Sequence, residues 1–297
     1  MFKEATLYAP VISDNEGVVE VLLAEDHPGF DDEQYRAHRN RIAELALHYR
    51  EGEPVPCVAY TENEHELWTR VAFELEQKHE KYACEEFRHG AEQLSLARCG
   101  VPQLGDVSQR LEKVTGFRLA PAPGLVPLRQ FYGSLERNVF WATQYVRYHT
   151  YPNFSPEPDI IHELIGHANT LASKRFAHVY NLVGAAINRL ETDAAVQLVS
   201  RVFWFMLEYG VAWERGELCA FGASLLSSFG ELEQFRSVPT RDVDVKAMGE
   251  QDYDVANYQP VLFASRSLAH AEDFLGSFMT TVDDDTVARL GIAAKAG

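Results

Sequence analysis

Apolar residues recur at helical spacing through most of this chain. Three segments place hydrophobic side chains at intervals that collect them on one face of an α-helix. The first stripe comprises Tyr35, Ile42, Leu45, Ala46 and Tyr49; the second comprises Leu67, Val71, Leu75 and Tyr82; the third comprises Leu190, Ala194, Leu198 and Phe205. These stripes predict helices that bury one face in a core.

Strand signals are few and short. The compact apolar stretches Leu218–Phe221 and Val261–Ala264 predict short β-strands. Proline-rich Pro54–Pro56 and Pro121–Gly124 predict loops. The predicted fold class is therefore mainly α, a single helical domain with small β-strand pairs at its edge.

Charge narrows the possible partners. The 297 residues carry a formal net charge of −17. Nucleic acids and anionic membranes attract a concentrated basic surface, so this acidic balance disfavours both and favours a small-molecule ligand. The sequence has no signal-peptide pattern and no apolar run long enough to span a bilayer, which predicts a cytoplasmic protein. The four cysteines are scattered and are expected to be reduced.

The densest group of metal-binding side chains lies in Ser155–His167, with the sequence SPEPDIIHELIGH. Ser155 followed by Pro156 predicts a helix start, with Ser155 as the N-cap. His162 and His167 are five residues apart, whereas the zinc-protease motif H-E-x-x-H places its histidines four apart on one helix face. Five positions at about 100° each leave the side chains roughly 140° apart. One ion can bind both only if the helix widens into a π-type turn or breaks.

A carboxylate, Glu208, lies inside the otherwise apolar run Arg201–Trp213. An isolated charge is strongly disfavoured in an apolar interior, so such a group is neutralised, paired or bound to a cation. Taken alone, Glu208 is equally consistent with a helix residue paired with an arginine and with a metal ligand. With His162 and His167 it makes two histidines and one carboxylate. That set is typical of non-haem Fe(II) oxygenases, in which it leaves positions open on the ion, and it favours iron over zinc.

Several motifs, in order, resemble the pterin-dependent aromatic amino acid hydroxylases, the family of phenylalanine, tyrosine and tryptophan hydroxylases. They are Asp26–Phe30, Pro102–Gln109, Thr115–Leu119, Thr143–Arg147, Ser155–His167, Phe203–Gly210, Phe221–Glu231 and Tyr258–Pro260. The resemblance implies a catalytic domain over residues 25–284, after an N-terminal segment 1–24 and before a C-terminal tail 285–297. It implies a tetrahydropterin- and Fe(II)-dependent monooxygenase that uses O2 to hydroxylate an aromatic ring through a ferryl-oxo intermediate.

The resemblance also assigns the metal site. It implies His162, His167 and Glu208 as the ligands of Fe(II), the same three residues that spacing and burial select. Ser227 is expected to hydrogen-bond the second nitrogen of His162, which would fix that imidazole. Glu163 and Ser227 are the residues expected to assist catalysis.

A tetrahydropterin, either tetrahydrobiopterin or a bacterial-type tetrahydropterin, is the second cofactor that the resemblance implies. It is expected to stack on the flat ring of Phe131. Its polar edge is expected to meet Glu163 and the backbone of three consecutive residues, Gly124, Leu125 and Val126. Leu128 stands where the family often has a small polar residue, a departure beside the pterin side chain.

The implied substrate site centres on Arg147, whose planar guanidinium suits two parallel hydrogen bonds to an amino acid carboxylate. Asp159 is expected to orient Arg147, and Ser155 to donate to the same carboxylate. Without the motif around them, Arg147 and Asp159 are better interpreted as a structural ion pair. The implied ring pocket consists of Phe154, Pro158, Trp204, Tyr209 and Ser224.

Phenylalanine is the expected substrate and tyrosine, by para-hydroxylation, the expected product. Trp204 resembles the phenylalanine and tyrosine enzymes, and Val255 stands where tyrosine hydroxylases tend to have an acidic residue. Meta-hydroxylation to meta-tyrosine stays open, as do tyrosine and tryptophan as substrates, because the site departs from the family pattern. The departures are Trp141, Ala142, Ser224 in place of a glycine, and Ala168–Thr170 after the second histidine.

The expected partners are the amino acid, O2 and the pterin, bound by a monomer without a regulatory domain. Two other functions remain open. A zinc hydrolase would use Glu163 as a general base beside a metal-bound water. A metal-dependent amino acid sensor would bind aromatic amino acids without turnover.

Overall fold

The computed structural model describes residues 9–13, 18–153, 155, 157–253 and 257–292. Helices dominate it, as the hydrophobic stripes predicted. The first helices are α1 Glu33–His48, α2 Glu62–Tyr82, α3 Glu85–Leu94, α4 Leu104–Thr115 and α5 Leu128–Ser134. The later ones are α6 Asn169–Leu171, α7 Lys174–Arg189, α8 Asp193–Phe203, α9 Ala223–Ser227, α10 Glu231–Gln234, α11 Val245–Glu250, α12 Leu268–Thr281 and α13 Thr286–Leu290. Turns with π-type hydrogen bonding cover His162–Ala168 and Trp204–Glu208, and 3-10 turns cover Leu135–Arg137 and Phe235–Ser237.

Side-chain caps mark where the long helices begin. At the start of α2, the backbone N–H of Thr61 donates to Glu64 at 2.7 Å while the Thr61 hydroxyl oxygen accepts from the N–H of Glu64 at 3.3 Å. Asp32, Ser173 and Thr192 accept backbone N–H groups at the starts of α1, α7 and α8. These caps fix boundaries that hydrophobic periodicity alone leaves open.

The predicted stripes match the buried helix faces only in part. Leu67 and Leu75 of α2 are at most 3% exposed, in agreement with the second stripe. In the first stripe, Leu45 of α1 is 37% exposed and does not belong to the core. The third stripe is wrong at its start, because Leu190 follows the end of α7 and Ala194 is exposed on the first turn of α8.

Small sheets accompany the helices. Their strands are β1 Val11–Ser13, β2 Val19–Val21, β3 Arg118–Ala122, β4 Val139–Thr143, β5 Val211–Glu214, β6 Glu217–Ala220, β7 Thr240–Asp242 and β8 Leu262–Ser265. β1 and β2 pair antiparallel, β3 and β4 pair parallel, and the remaining strands form a sheet in the order β6-β5-β8-β7. β6 and β8 confirm the two predicted strands, each displaced by one residue. Pro121 was predicted in a loop but lies in β3, where a two-stranded pair tolerates its missing N–H.

The π-type turn His162–Ala168 crosses the core, and its Leu164 and Ala168 are fully buried. Gly166 packs so closely against α9 that a Cβ at this position would lie 2.6 Å from the carbonyl oxygen of Ala223. Only glycine permits this approach without displacing backbone. The contact holds α9 against the turn that carries both histidines.

The helix that carries His162 begins later than Ser155 predicted. Asp159 takes the capping position, because its carboxylate accepts the backbone N–H of His162 at 3.2 Å. The hydroxyl of Ser155 instead donates to the carbonyl oxygen of Glu157 at 2.6 Å. The predicted N-cap was therefore wrong by four residues.

Candidate active site

The two π-type turns bring His162, His167 and Glu208 together. Winding as a π-helix places residues five apart nearly on one face, which is the first of the two geometries that the histidine spacing allowed. The Nε2 atoms of His162 and His167 are 3.0 Å apart. Glu208 ends the second π-type turn, with Oε1 3.2 Å from Nε2 of His167 and Oε2 3.8 Å from Nε2 of His162. The three side chains converge on one point.

Within the described part of the chain, the ion-pair partners of Glu208 are His162 and His167, and not an arginine. The interpretation of Glu208 as an arginine-paired residue is therefore wrong. The residue is 7% exposed, and its Oε2 accepts a hydrogen bond from the Ser224 hydroxyl at 2.7 Å. Ser224 thus holds one carboxylate oxygen while the other faces His167.

The second nitrogen of each histidine is already hydrogen-bonded. Nδ1 of His162 lies 2.9 Å from the hydroxyl of Ser227, the contact that was expected from the sequence. Nδ1 of His167 lies 3.0 Å from the hydroxyl of Tyr180 in α7. Such partners fix the ring orientation of metal-binding histidines and leave Nε2 to face the ion.

This donor set fits a divalent metal ion. Ligand atoms at right angles and about 2.1 Å from one ion lie about 3.0 Å apart, which agrees with the 3.0 Å between the two Nε2 atoms. Glu163 is also near, since its carboxylate and both imidazoles lie within 4.8 Å of one another. However, its Oε1 accepts hydrogen bonds from both the backbone N–H and the hydroxyl of Thr143, each at 3.1 Å. Glu208 is the better candidate for a third ligand.

Burial and mutual contact set the protonation states in this cluster. Burial would raise the pKa of Glu208, but the charges of His167 and His162 lower it to about 2. Burial, reinforced by His167, lowers the pKa of His162 to about 4. Burial raises the pKa of Glu163 to about 7, against the opposing effects of His167 and Thr143. At neutral pH, Glu208 is an anion and His162 is neutral, the forms that bind metal ions.

A cleft of about 60 Å³ opens beside the cluster, and His162, Glu163, His167 and Glu208 all line it. Its other walls contain every residue that the resemblance assigns to the pterin, together with residues of β4 and Pro158. These wall residues include Gly124, Leu125, Val126, Leu128, Phe131, Trp141 and Thr143. The described fold therefore places the expected pterin residues next to the expected metal ligands.

Arg147 and Asp159 form a buried pair with two parallel hydrogen bonds. Nη2 of Arg147 donates to Oδ1 of Asp159 at 2.7 Å, and Nε donates to Oδ2 at 2.9 Å. The backbone N–H of Arg147 donates to Oδ2 as well, at 2.9 Å. Asp159 also caps the helix that carries His162. It therefore links the guanidinium of Arg147 to the helix that bears the expected metal ligands.

Among the expected ring-pocket residues, Ser224 in α9 donates to Glu208, while Trp204 begins the second π-type turn and Tyr209 follows its end. The Trp204 indole stacks on Tyr253, with centroids 4.5 Å apart at 20°, and lies 4.9 Å from the ring of Tyr209. The carbonyl oxygen of Pro158 also lies 3.1 Å from the Thr143 hydroxyl, so it shares the single proton of that hydroxyl with Glu163. Two other residues of the expected site, Phe154 and Val255, lie outside the described residues.

The sequence pattern of the biopterin-dependent aromatic amino acid hydroxylases matches residues 14–290. This chain belongs to that family. The hydroxylase is therefore a pterin-dependent aromatic amino acid monooxygenase, and its cofactors are Fe(II) and a tetrahydropterin. This membership disfavours a zinc hydrolase, and the enzymatic names of the relatives disfavour a sensor without turnover. The match extends beyond residues 25–284 at both ends, and the domain bounds stay a prediction.

Two curated relatives show how the hydroxylase compares in length and sequence. Phenylalanine 3-hydroxylase of Streptomyces coeruleorubidus is 46% identical over 264 residues, which cover 89% of this chain and 95% of the relative. Phenylalanine-4-hydroxylase of Rattus norvegicus is 38% identical over 267 residues, which cover 88% of this chain and 58% of the relative. The chain thus spans nearly all of the first relative and little more than half of the second.

A solved structure confirms the mainly helical fold class of the hydroxylase. Phenylalanine hydroxylase from Chromobacterium violaceum, with bound iron(III) and 7,8-dihydrobiopterin, superimposes with a TM-score of 0.73. The two are 23% identical, and the match covers 82% of this chain and 88% of that one. Within the described residues of the hydroxylase, every helix is too short or too polar to cross a membrane.

Sequence reasoning missed Tyr180 and Thr143 as contacts of the hydroxylase site. In the sequence, Tyr180 is one of several apolar residues of α7, and the residues next to it do not indicate that its hydroxyl contacts His167. Thr143 was quoted only as part of a motif, although it makes both hydrogen bonds to Glu163. Either contact depends on how separate elements pack, which local patterns do not encode.

A larger cavity of about 570 Å³ lies between α2 and α3 of the hydroxylase. It meets the first histidine-bearing turn only through Ile165, and its wall continues to Asn169 in α6. None of the three expected metal ligands lines it. Its size therefore does not make it the candidate active site.

Proposed function

We propose that this hydroxylase acts on the ring of L-phenylalanine and that the meta position is the leading site of hydroxylation. The relative named phenylalanine 3-hydroxylase is 46% identical over almost its full length, whereas the rat 4-hydroxylase is 38% identical. Ser224, where the family has a glycine, donates to Glu208 and so adds a side chain to the ring pocket. A shift of about one ångström in the reacting atoms is enough to change the outcome of a reaction.

Para-hydroxylation to tyrosine, the product expected from the sequence, is the second candidate. The similarity to the rat phenylalanine-4-hydroxylase supports it. Trp204 supports phenylalanine as the substrate in either case, because its indole narrows the pocket beside Tyr209.

The observation that supports the oxygenase chemistry is the convergence of two imidazoles and one carboxylate beside the cleft. His162, His167 and Glu208 would hold Fe(II), with Ser227 and Tyr180 fixing the two rings. Bound Fe(II) and tetrahydropterin together supply the activation of O2 for ring hydroxylation.

The amino acid would be oriented by the pair of Arg147 and Asp159. Asp159 uses both carboxylate oxygens to hold the guanidinium edge that carries Nε and Nη2. Nη1 donates to the carbonyl oxygen of Pro152 at 3.2 Å, a contact that the substrate carboxylate would share or replace. The hydroxyl of Ser155 would donate to that carboxylate in place of its present hydrogen bond to the carbonyl oxygen of Glu157.

Two further groups shape the site without touching the metal. Glu163, held by Thr143 against the cleft, would meet the polar edge of the pterin. The apolar rings of Trp204 and Tyr209 would exclude water from the ring of the substrate, which strengthens polar contacts inside the site.

The test supplies Fe(II)-loaded protein with tetrahydropterin, O2 and phenylalanine, tyrosine or tryptophan in separate reactions. Products are resolved by chromatography and mass spectrometry against ortho-, meta- and para-tyrosine. Meta-tyrosine that forms only with both iron and pterin is the expected result. Para-tyrosine as the main product would decide for the second candidate, and turnover of tyrosine or tryptophan alone would overturn phenylalanine as the substrate.

A further inference from the structure

The N-terminal strand β1 packs against the wall of the cleft that we assign to the pterin. A Cβ at Gly124 would lie 2.9 Å from Cγ2 of Val11 in β1 and 3.9 Å from the carbonyl oxygen of Ala9. Gly124 lines the cleft together with the expected metal ligands, whereas Ala9 and Val11 do not line it. The N-terminal segment therefore contacts the wall itself and not the space inside the cleft.

The wall at this point is a connecting segment without hydrogen bonds of its own. Gly124, Leu125 and Val126 lie between the end of β3 and the start of α5. Among the described residues, their backbone groups make no hydrogen bond to the protein. Unpaired N–H and C=O groups suit a segment that meets the polar edge of a ligand. They also leave the position of the segment to packing contacts such as the one with Val11.

β1 is held in place from α1 and not from the cleft. It pairs with β2, and the backbone N–H of Leu22 donates to the carbonyl oxygen of Pro10 at 2.9 Å. The backbone N–H of Val21 in β2 donates to the side-chain oxygen of Asn40 in α1 at 2.8 Å. The buried residues of this contact form a small core, made of Ala9, Val19, Val21, Leu23 and Ala43. Because none of these anchors belongs to the pterin wall, β1 offers Gly124 a fixed support.

A single methyl group of Val11 makes the contact with Gly124. Cγ2 is the only atom of Val11 within 4 Å of the Cβ position at Gly124. Valine is branched at Cβ and adopts few χ1 rotamers, so this methyl group has little freedom to move aside. Ile12, the next residue, projects from the opposite face of the strand and is 46% exposed. The two neighbours thus separate the contact with the wall from the mere presence of an apolar side chain on β1.

We propose that β1 positions the pterin wall of this hydroxylase, with Val11 as the positioning residue that keeps the backbone of Gly124–Val126 in place. This inference rests on the proposed position of the pterin in the cleft. A wall that is fixed before binding does not have to be ordered by the ligand, which improves affinity without any direct contact. The family pattern matches residues 14–290, so β1 lies before the matched residues. The support for the pterin wall therefore comes from outside the matched pattern.

The test measures pterin binding without turnover. Dissociation constants of tetrahydrobiopterin are determined by calorimetry on anaerobic Fe(II)-loaded protein, and those of phenylalanine are determined in the absence of pterin. Val11→Ala removes the methyl group that contacts Gly124 and keeps the strand. Ile12→Ala removes apolar volume from the exposed face of the same strand and is the matched control.

Val11→Ala is expected to weaken pterin binding by about 2- to 12-fold, with no change in phenylalanine affinity and none in Ile12→Ala. Wild-type pterin affinity of Val11→Ala, or an equal loss of phenylalanine affinity, would overturn the inference and leave the proposed function standing. A wild-type protein that binds no tetrahydrobiopterin would overturn both.

A second pair of variants tests the contact between the two residues. Gly124→Ala places a methyl group 2.9 Å from Cγ2 of Val11, so the wall must shift and pterin binding is expected to weaken. In a Val11→Ala background Cγ2 is absent, and Gly124→Ala is expected to cost at least about twofold less pterin affinity than in the wild type. Equal costs in the two backgrounds would overturn the inference, because the effects would then be independent.

Discussion

The indole N–H of Trp204 donates a hydrogen bond to the side-chain carbonyl oxygen of Gln259 at 3.1 Å. The backbone N–H of Gln259 in turn donates to Glu231 in α10 at 2.8 Å, and both contacts are buried. An indole held at its N–H cannot rotate about its long axis without losing that bond. Gln259 therefore fixes the ring that we place against the substrate.

Gln259→Leu removes the acceptor of Trp204 and keeps the volume of the side chain. The buried indole N–H would be left unpaired, so the free energy of unfolding is expected to fall by about 1–3 kcal/mol. Urea unfolding measures this loss, and product analysis shows whether the preference between ring positions weakens with it. In a Trp204→Phe background, where no indole N–H is present, the same substitution is expected to cost less; equal losses in the two backgrounds would refute the role of the hydrogen bond.

Glu208→Gln replaces the anionic oxygen of the proposed metal site with a neutral amide. Because changes that touch a metal ligand only indirectly already cost about 10–100-fold in affinity or activity, the loss of iron affinity is expected to exceed that range. Iron content after anaerobic loading and dialysis is the measurement. Glu92→Gln, at an exposed position, is the control, and full iron loading of Glu208→Gln would contradict the assignment.

Arg147→Lys keeps the positive charge but loses the planar fork that Asp159 and a substrate carboxylate both require. The KM for phenylalanine is expected to rise at least about tenfold with a smaller change in kcat. Arg147→Ala is the less informative variant, because it leaves Asp159 buried without a partner and is expected to cost about 3–5 kcal/mol of stability. Arg137→Lys, at an exposed position, is the control; an unchanged KM in Arg147→Lys would remove Arg147 from the substrate site.

Stability is expected to fall as the solution becomes acidic, in part through His79. Burial lowers the pKa of His79 to about 4, although its Nε2–H donates to the carbonyl oxygen of Leu226 at 2.7 Å. The unfolded chain has the ordinary pKa of 6.5, so between the two values it binds a proton that the folded chain does not. The contribution is complete above pH 6.5 and declines as the pH falls towards 4, by up to about 3 kcal/mol.

Unfolding by urea at pH 7 and at about pH 5 measures this effect. His79→Gln keeps a donor for Leu226 and removes the titration, so its stability is expected to vary less with pH than that of the wild type. Parallel pH dependence in the two proteins would show that other groups cause the loss.

The sequence predicted the parts of the site that depend on local patterns. The five-residue spacing of His162 and His167 required either a π-type turn or a break near Gly166, and the structure contains the π-type turn. A carboxylate in an apolar run required a partner, and Glu208 meets the two histidines. In both cases a few neighbouring residues are enough to show that a particular helix geometry or a charged partner is needed.

The parts that failed depend on contacts between distant segments. Ser155 and Asp159 are both good N-cap residues, and the sequence alone favoured the first. Asp159 takes the cap in the structure, where Arg147 also holds its carboxylate in place. The contact between Tyr180 and His167 could not be predicted for the same reason, since it depends on how α7 packs against the histidine-bearing turn.

Each π-type turn contains one residue more than a regular helix needs, so deletion of one residue could convert the turn into a regular helix. Deleting Ile165 would leave the order His-Glu-Leu-Gly-His, which is the H-E-x-x-H pattern of zinc proteases. A regular helix would then replace the wider turn, and Gly166 would no longer face α9 in its present position. Loss of the single codon for Ile165 would therefore change the five-residue spacing of the two histidines into the four-residue spacing of zinc proteases.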